Sequence, residues 1–184
     1  MNDLEAVDQA ATDADLGELV RDGERVGLRF VRVYPHPVER VWRALTESDQ
    51  LRFWFPCDIV GERRTGASIT LPFWPAHVEK YAIDEPTLTG EISAWEPPRR
   101  FGWTWGGDLL LWELAEVPDG TELTFTTWPA DPDLAGVVSS AGGYHLCLAL
   151  LAVLLADGTA PAMTEVDAIA FRMEEAYKQR FGLT

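Results

Sequence analysis

Histidine and cysteine are scarce, with three and two among 184 residues. His36, His77 and His145 fall in no HExxH or HxH pattern, and neither Cys57 nor Cys147 lies in a CxxC. A zinc centre is therefore not expected, and no residue pattern calls for a cofactor. No GxSxG elbow, phosphate-binding glycine loop or dinucleotide fingerprint occurs, which inclines the reading away from an enzyme. Basic residues are also few: 15 Lys and Arg against 30 Asp and Glu, a net charge of -15. A nucleic-acid backbone or an anionic membrane needs a basic surface, so neither is an expected partner. The opening stretch MNDLEAVDQAATDADLGEL has no basic region and no apolar core, unlike a secretory signal. The most apolar run, Leu146 to Ala156, is too short to span a bilayer. Two isolated cysteines read best as buried thiols in a reducing cytosol. The expected location is cytoplasmic.

What is present is apolar and aromatic. Hydrophobic residues make up 47% of the chain and eight are Trp, enough for a substantial core. Residues 1–23 read as an acidic, mobile leader, with a helical turn near Asp15 to Val20, and residues 24–184 as one domain. A strand is expected over Val26 to Tyr34, with Leu28, Phe30, Arg32 and Tyr34 on one face. Pro35 and Pro37 end it. Val38, Val41, Trp42 and Leu45 then make a helical stripe. Ser48 and Asp49 are placed to cap a second short helix carrying Leu51, Phe53 and Trp54.

Strands follow at Ala67 to Phe73, Thr87 to Trp95, Phe101 to Trp105, Leu110 to Leu114 and Thr121 to Thr127. Gly106-Gly107 and Asp119-Gly120 supply turns, so the segment reads as an antiparallel meander. A connection over 129–138 leads to a helix from Ser139 or Ala141 to Ala156, apolar nearly all round, which suits a helix enclosed by a sheet. An amphipathic helix, Thr164 to Phe181, closes the chain within a helical extension over 162–182. It packs either on its own domain or on a second subunit, leaving monomer and homodimer open.

The stretch RVYPHPVERVWRALTESDQLRFWF resembles the entry to the SRPBCC (START-like) superfamily, and within it the branch named after the activator of the heat-shock protein 90 ATPase. LTGEISAWEPPRRFGWTW, LLLWELAEVPDGTELTFTTW and GGYHLCLALLAVLLADG match that branch's later strands and long helix in order. The resemblance covers about residues 26 to 158. Gly143-Tyr144 replaces the usual Gly-Trp, and no counterpart of the co-chaperones' N-terminal chaperone-binding domain is seen. The resemblance implies an α+β helix-grip fold: a curved antiparallel sheet wrapped around a long C-terminal helix, with an extra terminal helix. It also implies a cavity for a small hydrophobic or amphipathic molecule. Two other functions are carried beside that one, a polyketide cyclase or aromatase-like enzyme and a regulator of a chaperone ATPase.

Eight residues are candidates for such a site. Arg32 shares the inward face of its strand, and either orients a ligand's carboxylate or keto group or makes a structural salt bridge. His145 opens the enclosed helix and is either a proton donor or acceptor for a ligand or a core histidine bonded to backbone. Trp103, Trp105 and Trp112 are the preferred lining residues, joined by Trp54, Phe73 and Leu148. The same rings can instead fill the interior. Glu91, Glu113 and Glu122 fall on the opposite strand face and read as solvated charges.

Overall fold

A computed structural model describes residues 3–130 and 133–183. Eight antiparallel strands form one curved sheet: β1 (Glu18–Asp22), β2 (Arg25–Tyr34), β3 (Val60–Gly61), β4 (Ser68–Pro72), β5 (Thr87–Glu96), β6 (Arg100–Trp105), β7 (Asp108–Val117) and β8 (Gly120–Trp128). Their spatial order is β1-β2-β8-β7-β6-β5-β4-β3. Register follows the apolar alternation. Trp112 lies opposite Phe101 on β6 and Phe125 on β8, and Phe125 lies opposite Phe30 on β2. One row of rings thus crosses four strands on the concave face. A register shift between Ile92 and Ala94 bends β5 against β6.

The helices are α1 (Asp3–Ala10), α2 (Val38–Thr46), α3 (Ser48–Trp54), α4 (Pro75–Tyr81), α5 (Leu134–Asp157), α6 (Met163–Val166) and α7 (Ala168–Phe181). The long helix α5 fills the sheet's concavity and packs on β2, α1, α2, α3 and α7. It starts earlier than its apolar pattern shows, because Asp133 caps it by accepting from the Ala135 N–H while Ala135, Gly136 and Ser139 of its first turns face water. At 24 residues it is long and apolar enough to cross a bilayer, but 78% of its most apolar window is buried in the domain. That apolar surface is satisfied by the protein's own core.

Three expectations change. Ser48 and Asp49 do not cap α3. Its N-cap is Glu47, with no side-chain cap bond, and the Ser48 hydroxyl donates to Asp58 instead. The final helix is split at Asp167 into α6 and α7, although Val166, Ile169, Met173 and Tyr177 are buried as the pattern requires. The segment 3–22, read as a mobile leader, forms α1, a 3-10 turn (Asp13–Asp15) and β1, which pairs with β2. The few apolar side chains in this acidic stretch explain the packing. Val7 and Ala11, one helical turn apart, are fully buried, and Arg172 of α7 bonds both the Asp8 carboxylate and the Ala11 carbonyl.

Candidate functional site

The concave face is packed ring on ring. Trp112 stacks on Phe125 at 3.8 Å between centroids and on Trp103 at 5.9 Å. Trp54 meets Trp112 edge to face at 5.4 Å. All four are fully buried. The Trp54 indole N–H donates to the Ala44 carbonyl at 2.8 Å, whereas the indole nitrogens of Trp103 and Trp112 have no hydrogen-bond partner among the described residues. Leu148 is buried as well, and its carbonyl accepts from the Tyr34 hydroxyl. These four predicted lining residues, Trp54, Trp103, Trp112 and Leu148, belong to the core.

The remaining two apolar candidates, Phe73 and Trp105, stand at the rim of the sheet with their rings 6.0 Å apart. They line an open groove of about 320 Å³ together with His77 and Tyr81 of α4, Leu146 and Gly143 of α5, Met163, and Phe171 of α7. Helix α4 forms one wall. Pro75 opens it at a position where no N–H is needed, and the Trp74 indole pins its start by donating to the Phe55 carbonyl at 2.7 Å. Ala82, in the left-handed conformation at φ 48°, ends it.

A clasp ties α4 to the C-terminal helices. Lys80 pairs with Asp167 at 2.7 Å and donates to the Thr164 carbonyl. The Tyr81 hydroxyl donates to Asp167 at 3.0 Å. The Lys80 hydrogen bond holds the Asp167 carboxyl below its ordinary range, and burial, with the bond to Asp167, pushes Tyr81 up to about 12.

His77 is the polar group inside this apolar wall. It is 7% exposed, and among the described residues its two ring nitrogens, both sealed from solvent, have no hydrogen-bond partner. Burial, then the nearby Lys80 charge, lowers its pKa, so the imidazole is neutral at pH 7 with one N–H and one lone pair to offer.

The other two predicted polar residues lie in a different cluster. The Gly17 N–H donates to the Tyr177 hydroxyl at 2.7 Å, and that hydroxyl is 3.0 Å from His145 Nδ1. The direction of that bond follows the imidazole tautomer, and Nε2, buried, has no hydrogen-bond partner among the described residues. Burial, reinforced by Arg32, lowers His145 to about 4. Arg32 is half-buried, and its guanidinium donates to the Asp15 carbonyl at 2.7 Å and to its neighbour Val31. The cluster ties the N-terminal segment to β2, α5 and α7. A structural salt bridge is one reading of Arg32 from the sequence; its guanidinium bonds backbone carbonyls instead.

The sequence reading thus found two groove residues and missed His77, Tyr81, Met163 and Phe171. One signal was available. Trp74-Pro75 before HVEKY is a helix start, and it puts His77 and Tyr81 four residues apart on one face.

A family model described as Activator of Hsp90 ATPase homolog 1-like protein matches residues 35–156. Among solved structures, a conserved protein of unknown function from Enterococcus faecalis, EF2215, superposes with a TM-score of 0.73 at 18% identity, covering 98% of each chain. CalU16 from Micromonospora echinospora gives 0.65 at 22% identity over 89% of this chain and 95% of its own. The protein encoded by gene BPP1335 of Bordetella parapertussis gives 0.66 at 30% identity over 90% and 91%. A search of curated proteins found no match.

Proposed function

We propose, for a chain that belongs to the Activator of Hsp90 ATPase homolog 1-like family, the function of a START-like carrier or sensor that binds a small apolar or amphipathic molecule. Its site is the groove between α4, the β6 rim, α5 and α7, not the ring-filled centre of the sheet. One observation carries this reading: an apolar, ring-lined concavity of about 320 Å³ that stays open to solvent beside a sealed core. A cytoplasmic setting accords with the two buried, unpaired thiols.

The test uses N-phenyl-1-naphthylamine, an uncharged probe whose emission rises and shifts to the blue in apolar sites. Gly143 lines the groove, and a Cβ added there meets no surrounding side chain or neighbouring element within 4 Å. Gly143→Leu therefore fills the groove without disturbing the core. The wild type is expected to enhance the probe and Gly143→Leu to lose the effect. No enhancement in the wild type, or equal enhancement in both, would sink the proposal.

A further inference from the structure

The inside of the groove offers an occupant nothing to hydrogen-bond. Its lining is almost wholly apolar, and both His77 ring nitrogens are sealed from solvent. Asp167 is the one carboxylate in the lining, and Lys80 and Tyr81 both bond it. A polar group carried inside would lose its water and find no partner. An amphipathic occupant therefore seats its apolar part and leaves its head in the solvent at the mouth.

The charges that border the mouth are of one sign. Asp84 and Glu85 directly follow Ile83, which lines the groove. Glu165 stands two residues from both Met163 and Asp167, which also line it. Consecutive Cα atoms are about 3.8 Å apart, so the backbones of all three acids lie within one Debye length of the lining, about 8 Å in physiological salt. All three are exposed, and among the described residues their carboxylates have no bonding partner. Glu79 of α4, also exposed, has the same sign. The neighbouring cations are already paired. Lys80 holds Asp167, and Arg172, next to Phe171, faces Asp8 and Asp13 of the N-terminal segment.

Phe171 acts in the same direction. Its ring lines the groove and is 64% exposed, and no other ring or cation engages it among the described residues. The face of such a ring carries negative charge and attracts a cation.

We propose that the groove takes cationic amphiphiles: an apolar body seated against Phe73, Trp105 and Leu146, with a protonated amine left at the mouth among Asp84, Glu85, Glu165 and the Phe171 ring. This rests on the binding role assigned above to the same groove. The attraction acts through water at the rim, so salt weakens it.

The experiment is isothermal titration of the full chain at pH 7 with three probes of one ring system: 2-naphthylmethylammonium, 2-naphthol and 2-naphthoate. In about 20 mM salt the wild type is expected to bind the cation about tenfold or more tightly than the anion, a ratio that falls to about threefold in about 0.5 M salt while 2-naphthol binding changes little. The rim variant Asp84→Asn, Glu85→Gln, Glu165→Gln should lose most of the low-salt ratio and keep 2-naphthol binding. A control variant with the same change of charge, Glu39→Gln, Glu116→Gln, Asp119→Asn, should keep the ratio. Its sites lie at the β7–β8 turn and the adjoining start of α2, whereas Trp105 pairs with the opposite end of β7. Melting curves confirm that each variant folds, and the wild-type salt dependence stands as a test even if a variant does not. Equal binding of cation and anion by the wild type, or tighter binding of 2-naphthoate, overturns the charge preference and leaves the groove as a site. A ratio unchanged in the rim variant, or lowered equally in the control, overturns the role of the rim. No binding of any probe, or binding unchanged in Gly143→Leu, overturns the groove itself.

Discussion

Two neighbouring glycines on α5 should respond to the same substitution in opposite ways. A Cβ at Gly142 would lie 2.2 Å from the Ala170 carbonyl oxygen and 2.9 Å from the Glu174 nitrogen. Both atoms are α7 backbone, and ordinary contact begins near 3.4 Å, so the helices would have to part by roughly 1 Å. Forcing such a separation costs about 1–3 kcal/mol. At Gly143 the added methyl meets nothing within 4 Å. Each substitution also gains about 1 kcal/mol of helix propensity, which cancels in the comparison. Gly142→Ala should therefore be less stable than Gly143→Ala by about 2 kcal/mol, or roughly 4–8 °C in Tm for a chain of this length. Thermal unfolding followed by near-ultraviolet circular dichroism measures the difference. Two variants melting within a degree of each other would show that α7 does not press on α5 at Gly142, and the groove wall built by α7 would go with it.

Two more outcomes follow from the buried cluster at Tyr177. His145 is held at about 4, below its ordinary 6.5. Between those values the unfolded chain binds a proton that the folded chain does not, so stability falls as pH drops, by about 3 kcal/mol over the full window. Urea unfolding at pH 7 and pH 4.5 should show this loss in the wild type and a smaller one in His145→Gln. Equal losses, or an imidazole that titrates near 6.5 by NMR, would refute the burial argument. Arg32→Ala should free the Asp15 carbonyl and speed amide exchange over residues 12–17, with probe binding unchanged. Lost binding would return Arg32 to the ligand site.

The strands were legible because each carries its own signal. Phe101, Trp103 and Trp105 alternate on a strand whose inner rings meet Trp42 of α2 and Phe55, and period two alone assigns their side. The same alternation does not say whether a ring lines a space or fills it. Trp103 and Trp105 share a face, yet the first is sealed under Trp112 and Phe101 while the second reaches the rim. That outcome depends on where the strand ends relative to α4, which no local pattern carries.

The groove was hidden for a related reason. Phe73, just past β4, comes together with Trp105 of β6, Leu146 of α5 and Phe171 of α7 from four places far apart in the chain, and their meeting is set by the placement of α7. Residues 3–22 misled through composition. Their acidity matches that of a solvated tail, but Val7, Ala11 and the Gly17 N–H are enough to bind them to the domain.

The central claim is that a small molecule occupies the groove and not the interior. The most direct measurement is an amide chemical-shift map of the isotope-labelled chain titrated with 2-naphthol. The account predicts shifts concentrated at Phe73 to Tyr81, Trp105, Gly143 to Leu146 and Met163 to Phe171. Shifts centred on Trp103, Trp112 and Tyr144, with the groove silent, would contradict it.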